Sequence, residues 1–132
     1  NLDFIDFSPA STDMDAAAAL PYGYVEEDAQ RMGFMKRFAE AMDLNAVKSL
    51  EEGLKDRFGP LPAPAKRLAK LAALKVKCAQ AGINHVDVKG TRAVFYRTGS
   101  RAIAFVRDLH GKKPDRKIGE IADAVAKVST ER

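Results

Sequence analysis

The chain has 132 residues, enough for one domain with a single modest core and too few for two independent cores. Apolar residues make up 46% and charged residues 30%, which excludes a disordered tail, and no apolar run is longer than that of Ala16 to Leu20, which excludes a membrane span. Net charge is +4, but the first thirty residues hold seven acids and no base, so the remainder carries +11 and offers a basic body to nucleic acid or to an acidic protein face.

Leu2, Phe4, Ile5 and Phe7, with Asp3 and Asp6 between them, predict a short strand, closed by Ser8-Pro9 and the polar run Ser11 to Asp15. Residues 1–19 thus read as a strand and loop leading into a single domain over 1–132. The chain opens on Asn1 and runs straight into that strand, as expected of a piece of a longer protein. Pro21-Tyr22-Gly23-Tyr24 breaks the chain again, and Glu26, Glu27 and Asp28 follow where the macrodipole of a new helix favours acids. That helix is predicted over about Glu26 to Met42, with Phe34, Met35, Phe38 and Met42 as its apolar stripe and Arg31 on the same side. Asp43 is the expected N-cap of a second helix, whose Leu44, Val47, Leu50, Leu54 and Phe58 share a face before Gly59 and Pro60 stop it. Leu61-Pro62-Ala63-Pro64 leads into a third helix ending near Gly82. Its buried stripe is Ala65, Leu68, Ala72, Val76 and Ala79, and Lys66, Lys70 and Lys77 line another face.

After Gly82 the period changes from helical to alternating. Val86 and Val88, a Lys89-Gly90 turn, Ala93 and Phe95, a Thr98-Gly99-Ser100 turn, then Ile103 and Phe105 describe a three-stranded antiparallel meander. His110 to Pro114 is a basic loop, Asp115 the expected N-cap, and Ile118, Ile121, Val125 and Val128 mark a terminal amphipathic helix. The fold class is therefore α+β, three N-terminal helices packed on a small antiparallel β-meander and closed by a C-terminal helix.

No phosphate-cradling GxxxxGK[ST], no GxGxxG and no local Ser/His/Asp or paired-acid spacing nominates an active site, and one cysteine with two histidines gives no zinc set and no disulfide. A reduced, cytoplasmic compartment fits that cysteine usage. His85 and Asp87 share one side of a strand, which could suggest an acid/base pair, but the reading favoured is the wet face of a half-exposed strand. Cys78, inside the third helix, reads as a small core filler. Lys66, Arg67, Lys70 and Lys77 are the candidate nucleic-acid contacts, set against an ordinary solvated helix face without aromatic stacking residues. The five bases from Arg107 to Lys117 are weighed the same way. Asp56 and Arg57 are sequence neighbours that project in different directions. Arg57 either donates to carbonyls at the helix end or, like Asp56, meets a partner surface.

The stretch from Glu51 through Asp56-Arg57-Phe58-Gly59-Pro60-Leu61-Pro62, followed by Pro64 and the helix from Arg67 to Ala79, resembles the C-terminal domain of the bacterial transcription-repair coupling factor family. Leu20-Pro21-Tyr22-Gly23-Tyr24-Val25 is similar to the family's IPxxYV, Gln30 to Phe38 to its RLxLYxRL helix, and Ala81-Gly82-Ile83 to the LGI before its first hairpin. The likeness is good over residues 20–96 and looser beyond. Gly53 stands where the family usually has glutamate, the Thr98-Gly99-Ser100 connection is shorter, and Ser11 to Ala18 looks inserted.

The resemblance implies a non-catalytic module at the end of a large DNA translocase whose ATP- and magnesium-using motors lie in the parent, with no cofactor in this domain. It implies packing on an intramolecular UvrB-like module that masks the UvrA-binding surface until the motor meets a stalled RNA polymerase on DNA, with no membrane partner. The interdomain residues carried over are Asp56 and Arg57, with Glu52 beside them. The competing readings are a nucleic-acid-binding module using the basic face of the third helix, and a purely structural cap.

Overall fold

The computed structural model describes residues 19–89, 91–97, 103–111 and 113–130, leaving aside the side chains at 84, 85, 89, 114 and 128–130. Among these residues four helices and three strands follow in the order α1 (Asp28–Glu40), α2 (Leu44–Phe58), α3 (Ala63–Gln80), β1 (Ile83–Lys89), β2 (Arg92–Arg97), β3 (Ile103–Asp108) and α4 (Pro114–Thr130). The class is α+β, as the change of hydrophobic period predicts. The expected strand at Leu2 to Phe7, the Ser11 to Ala18 segment, the Thr98-Gly99-Ser100 turn and the Val128 side chain lie outside the described residues. The chain divides into two compact units between Val76 and Lys77, inside α3.

In the helical unit, Val25, Phe34, Phe38, Val47, Leu54, Leu61, Ala65, Ala69, Ala72 and Val76 close around one another with Leu20. Helix α1 is shorter than the sequence stripe predicts at both ends. At its start, the N–H groups of Tyr24 and Val25 both donate to the Pro21 carbonyl, at 3.0 and 3.1 Å, and this turn swings Val25 fully into the core before the helix begins. At its end, Ala41 is already extended (φ −60°, ψ 131°), and so is Asp43 (φ −145°, ψ 166°), which must be extended to cap α2. Met42 lies between them and is 71% exposed, not part of the stripe. Leu44, the first residue of α2, is likewise exposed.

Helix α3 buries more than its expected stripe. Ala65, Ala72 and Val76 are buried, with Leu68 and Ala79 partly so, but Leu71, Leu74 and Cys78 are buried too. These three sit roughly half a turn around from the first set at 3.6 residues per turn. The helix is thus apolar on two sides, and the row Lys66, Lys70 and Lys77 occupies the exposed strip between them. Gly82, at φ 77°, ends the segment in the left-handed region that favours glycine.

The sheet has the order β1-β2-β3, antiparallel throughout. Two bulges set which residues face inward. In β1 the register steps from Ile83↔Arg97 to His85↔Tyr96, so Asn84 is the extra residue, and Ile83 reaches the buried side shared by Val86 and Val88. In β3 the step from Phe95↔Phe105 to Tyr96↔Ile103 makes Ala104 the extra residue. Ile103 is thereby turned to the face opposite Phe105 and is 55% exposed, contrary to the simple alternation that places both on one side. Phe105 stacks on the fully buried Phe95, with ring centroids 4.2 Å apart.

Helix α4 begins at Pro114 rather than after an Asp115 cap. The Lys117 N–H donates to the Lys113 carbonyl at 3.1 Å, which puts Lys113 at the cap position, Pro114 at the first helical position where no N–H is needed, and Asp115 in the first turn. One turn further along, the Glu120 carboxylate accepts the His110 N–H at Oε1 (2.8 Å) and the Gly111 N–H at Oε2 (2.7 Å), tying the basic loop to the helix. Gly111 is needed there: a Cβ would fall 1.8 Å from Cγ and 2.5 Å from Cβ of Arg116. The two backbone N–H groups, aided by the nearby charges of His110 and Arg116, hold the Glu120 carboxyl below its ordinary range. Its contribution to stability is therefore present above the ordinary carboxylate pKa of about 4.3 and is lost as pH falls through the lower folded value. Glu120→Gln is expected to speed amide exchange at His110 and Gly111 at neutral pH, and the same two amides are expected to lose protection in the wild type on acidification.

Candidate functional site

The site assembles on the last two turns of α2. Asp43 starts this helix, its Oδ1 accepting the Ala46 N–H at 2.7 Å, and Val47 and Leu54 anchor the inner side. Gly59 stops it at φ 91°, a value L side chains rarely adopt, with its N–H on the Lys55 carbonyl at 3.0 Å. With the inner side fixed by Leu54, the helical period leaves Glu52, Asp56 and Arg57 exposed. Glu52 and Asp56 are one turn apart on the same side. Arg57 stands about 100° around the helix from Asp56 and reaches a different surface.

The helix end is held by Tyr24, thirty-five residues away from Gly59. Its hydroxyl lies 2.7 Å from the Gly59 carbonyl oxygen and 3.2 Å from that of Leu54, within donating distance of both. Its ring packs at 57° on Phe58, which meets Phe34 edge-on. Arg31, which the sequence places on the apolar stripe, serves the same segment. It donates to the Val25 carbonyl at 3.0 Å, pairs with Asp28 and lies over the Tyr22 ring. Anchoring the end of α2, one of the two roles open to Arg57 from sequence, is thus done by a tyrosine. Among the described residues neither Asp56 nor Arg57 makes a side-chain hydrogen bond or ion pair.

Burial raises the Tyr24 phenol above its ordinary pKa of about 10, because the phenolate would lose its water. The stabilisation from this group is therefore complete below about pH 10 and is lost as pH climbs through the higher folded value. Tyr24→Phe keeps the ring contact and removes the donor, which is expected to cost about 0.5 to 1.5 kcal/mol in denaturant unfolding and to abolish that alkaline limb.

The basic residues of α3 are arranged differently. Lys66 and Lys70 line a groove of about 260 Å³ with Glu51 and Lys55, floored by Leu61, Ala69 and Ala73. Lys77 continues their row, while Arg67 is half-buried, and Arg67 and Lys70 each have a contact of their own. Cys78 is fully buried and its thiol is pushed up to about 12 by desolvation, so it stays protonated at neutral pH and fills space. The His85 side chain lies outside the described residues, and Asp87 is half-buried and partnered. Among the described residues no three His, Cys, Asp or Glu side chains gather as metal ligands, and no helix is long and apolar enough to cross a membrane.

Residues 14–106 match the TRCF domain family. Over 82 residues, 62% of the chain, the sequence is 35% identical to a transcription-repair-coupling factor of Mycobacterium bovis, and over 87 residues, 66% of the chain, it is 28% identical to that of Escherichia coli. The chain spans only 7% and 8% of the length of these relatives. The fold is similar to a crystal structure of the C-terminal domain of transcription-repair coupling factor, with a TM-score of 0.73 over 88% of this chain and 91% of that one, at 14% identity. The Asp56-Arg57-Phe58-Gly59 motif, the tyrosine that holds the helix end and the first two strands of the meander lie inside the matched span, and the chain belongs to the TRCF domain family of transcription-repair coupling factors.

Proposed function

We propose that this chain is the regulatory C-terminal domain of a transcription-repair coupling factor, an ATP-dependent DNA translocase that removes stalled RNA polymerase and recruits nucleotide excision repair. In this reading the domain performs no chemistry. It packs through Glu52, Asp56 and Arg57 on a UvrB-like module of the parent and keeps the UvrA-binding surface covered. ATP and magnesium serve motors elsewhere in the parent, a cytoplasmic protein.

The observation that carries this is the division of labour at the end of α2. Tyr24, Phe58 and Gly59 hold the helix end, and among the described residues Asp56 and Arg57 stand exposed without a side-chain hydrogen bond or ion pair. Charged hydrogen bonds at a partly wet interdomain surface are worth on the order of 1.5 to 3 kcal/mol, which suits a latch that must open on a coupling of about 1 to 3 kcal/mol. Titrating isotope-labelled chain with the UvrB-like module should shift the amides of residues 52 to 57. Shifts confined to other surfaces, or none, would remove the reading.

A second reading rests on the alignment of Lys66, Lys70 and Lys77 along one strip of α3, which suits a phosphate backbone. It requires DNA affinity that falls steeply with salt, and a flat salt dependence excludes it.

A further inference from the structure

Arg57 does not reach solvent alone. It shares a hollow of about 250 Å³ between α1 and α2 with Arg37, Glu27 and Gln30, above a floor made by Gly33 and the ring of Phe34. The Arg37 guanidinium lies over that ring, 5.6 Å from its centroid, and a stacked guanidinium keeps its in-plane N–H donors free for a planar acceptor. Gly33 leaves the floor open, since a Cβ there would meet nothing within 4 Å. Glu27 is the single acid in the lining, and it forms no ion pair with either arginine within 4.0 Å. The hollow therefore carries a net positive charge from two helices beside the buried ring of Phe34.

We propose that this hollow is a carboxylate-binding site, taking one aspartate or glutamate side chain from the polypeptide on which the end of α2 packs, with Arg37 as the second ligand beside Arg57. The inference rests on the interface reading above and adds to it a residue from another helix and a chemical identity for what it meets. A carboxylate accepts a planar fork of N–H donors in bidentate fashion, and two forks on one hollow select it over a neutral amide. Asp56, a sequence neighbour facing another way, then calls for a cation on the partner, so the surface reads opposite signs at two adjacent points and fixes orientation as well as contact.

The test is the titration of labelled chain with the neighbouring module, repeated for Arg37→Ala and for Arg37→Lys, which keeps the stem over Phe34 and the charge while losing the planar fork. The expected result is at least a tenfold weaker complex for both variants, with melting of the lysine variant unchanged. If the module binds both variants as it binds the wild type, the carboxylate site is wrong and the interface reading stands. If the module binds no form of the chain, the interface reading fails, and the hollow is then judged with hexaglutamate at low salt. Joint, saturable shifts of the Arg37 and Arg57 side-chain N–H signals, absent with hexaserine and weakened in Arg37→Lys, support it. Unmoved signals overturn it.

Discussion

Leu54→Ala is expected to destabilise the helical unit by about 2 to 5 kcal/mol, a large part of the 5 to 15 kcal/mol that holds a typical domain. Leu54 is completely buried in the cluster formed by the helices, on the inner side of the same α2 segment that presents Glu52, Asp56 and Arg57. Its truncation leaves a cavity beneath the helix end and loosens the ring of Phe58 and its contact with Tyr24. Leu54→Met, which conserves volume, should cost less than about 1.5 kcal/mol. Denaturant unfolding of the three proteins measures both differences. Exposed substitutions two and three residues away, at Asp56 and Arg57, should stay within about 0.5 kcal/mol of wild type. An α2 whose inner side is essential to folding and whose outer end is not is the physical basis of the proposed interface.

Phe95→Ala is expected to cost about 3 to 5 kcal/mol. Phe95 is fully buried in β2, opposite Val86 on one side and Phe105 on the other, and its ring stacks on that of Phe105 at an interplanar angle of 15°. The loss removes both the transfer energy of a large side chain and an aromatic pair. Amide exchange should accelerate throughout β1, β2 and β3, since the middle strand pairs with both neighbours. Phe105→Ala, on a half-buried residue of β3, should cost less.

Where one residue decides its own surroundings, the sequence was a good guide. Asp43 caps α2, Gly59 and Gly82 end helices in the left-handed region, and the period change after Gly82 marks the passage from helix to sheet. Where a distant segment decides, it was not. On the second buried side of α3 the sequence reading marks only Cys78 as core and not Leu71 or Leu74, because a single apolar stripe describes one face and this helix buries two. The bulge at Ala104 exposes Ile103 by shifting the pairing of β3, and no pattern within β3 alone reports a register set by its neighbour. At the candidate site the exposed trio could be read from the motif, while Tyr24 and Arg37 could not. Tyr24 acts on a carbonyl thirty-five residues away, and Arg37 meets Arg57 only once α1 and α2 pack. A tyrosine directly after a Pro-Gly break and before a helix was the one available hint, since a phenol there can reach back to a neighbouring helix end.

The most direct measurement of the proposed latch is UvrA affinity in the full-length parent carrying Asp56→Ala and Arg57→Ala together. If the exposed end of α2 holds the covering module in place, removing both charges opens it. Affinity for UvrA should then rise by a factor between about 5 and 150, the range that a coupling of about 1 to 3 kcal/mol provides, while the melting temperature of the 132-residue chain stays nearly unchanged. Unchanged UvrA binding together with early melting of the double variant would contradict the account, showing that these two residues support the fold and cover nothing.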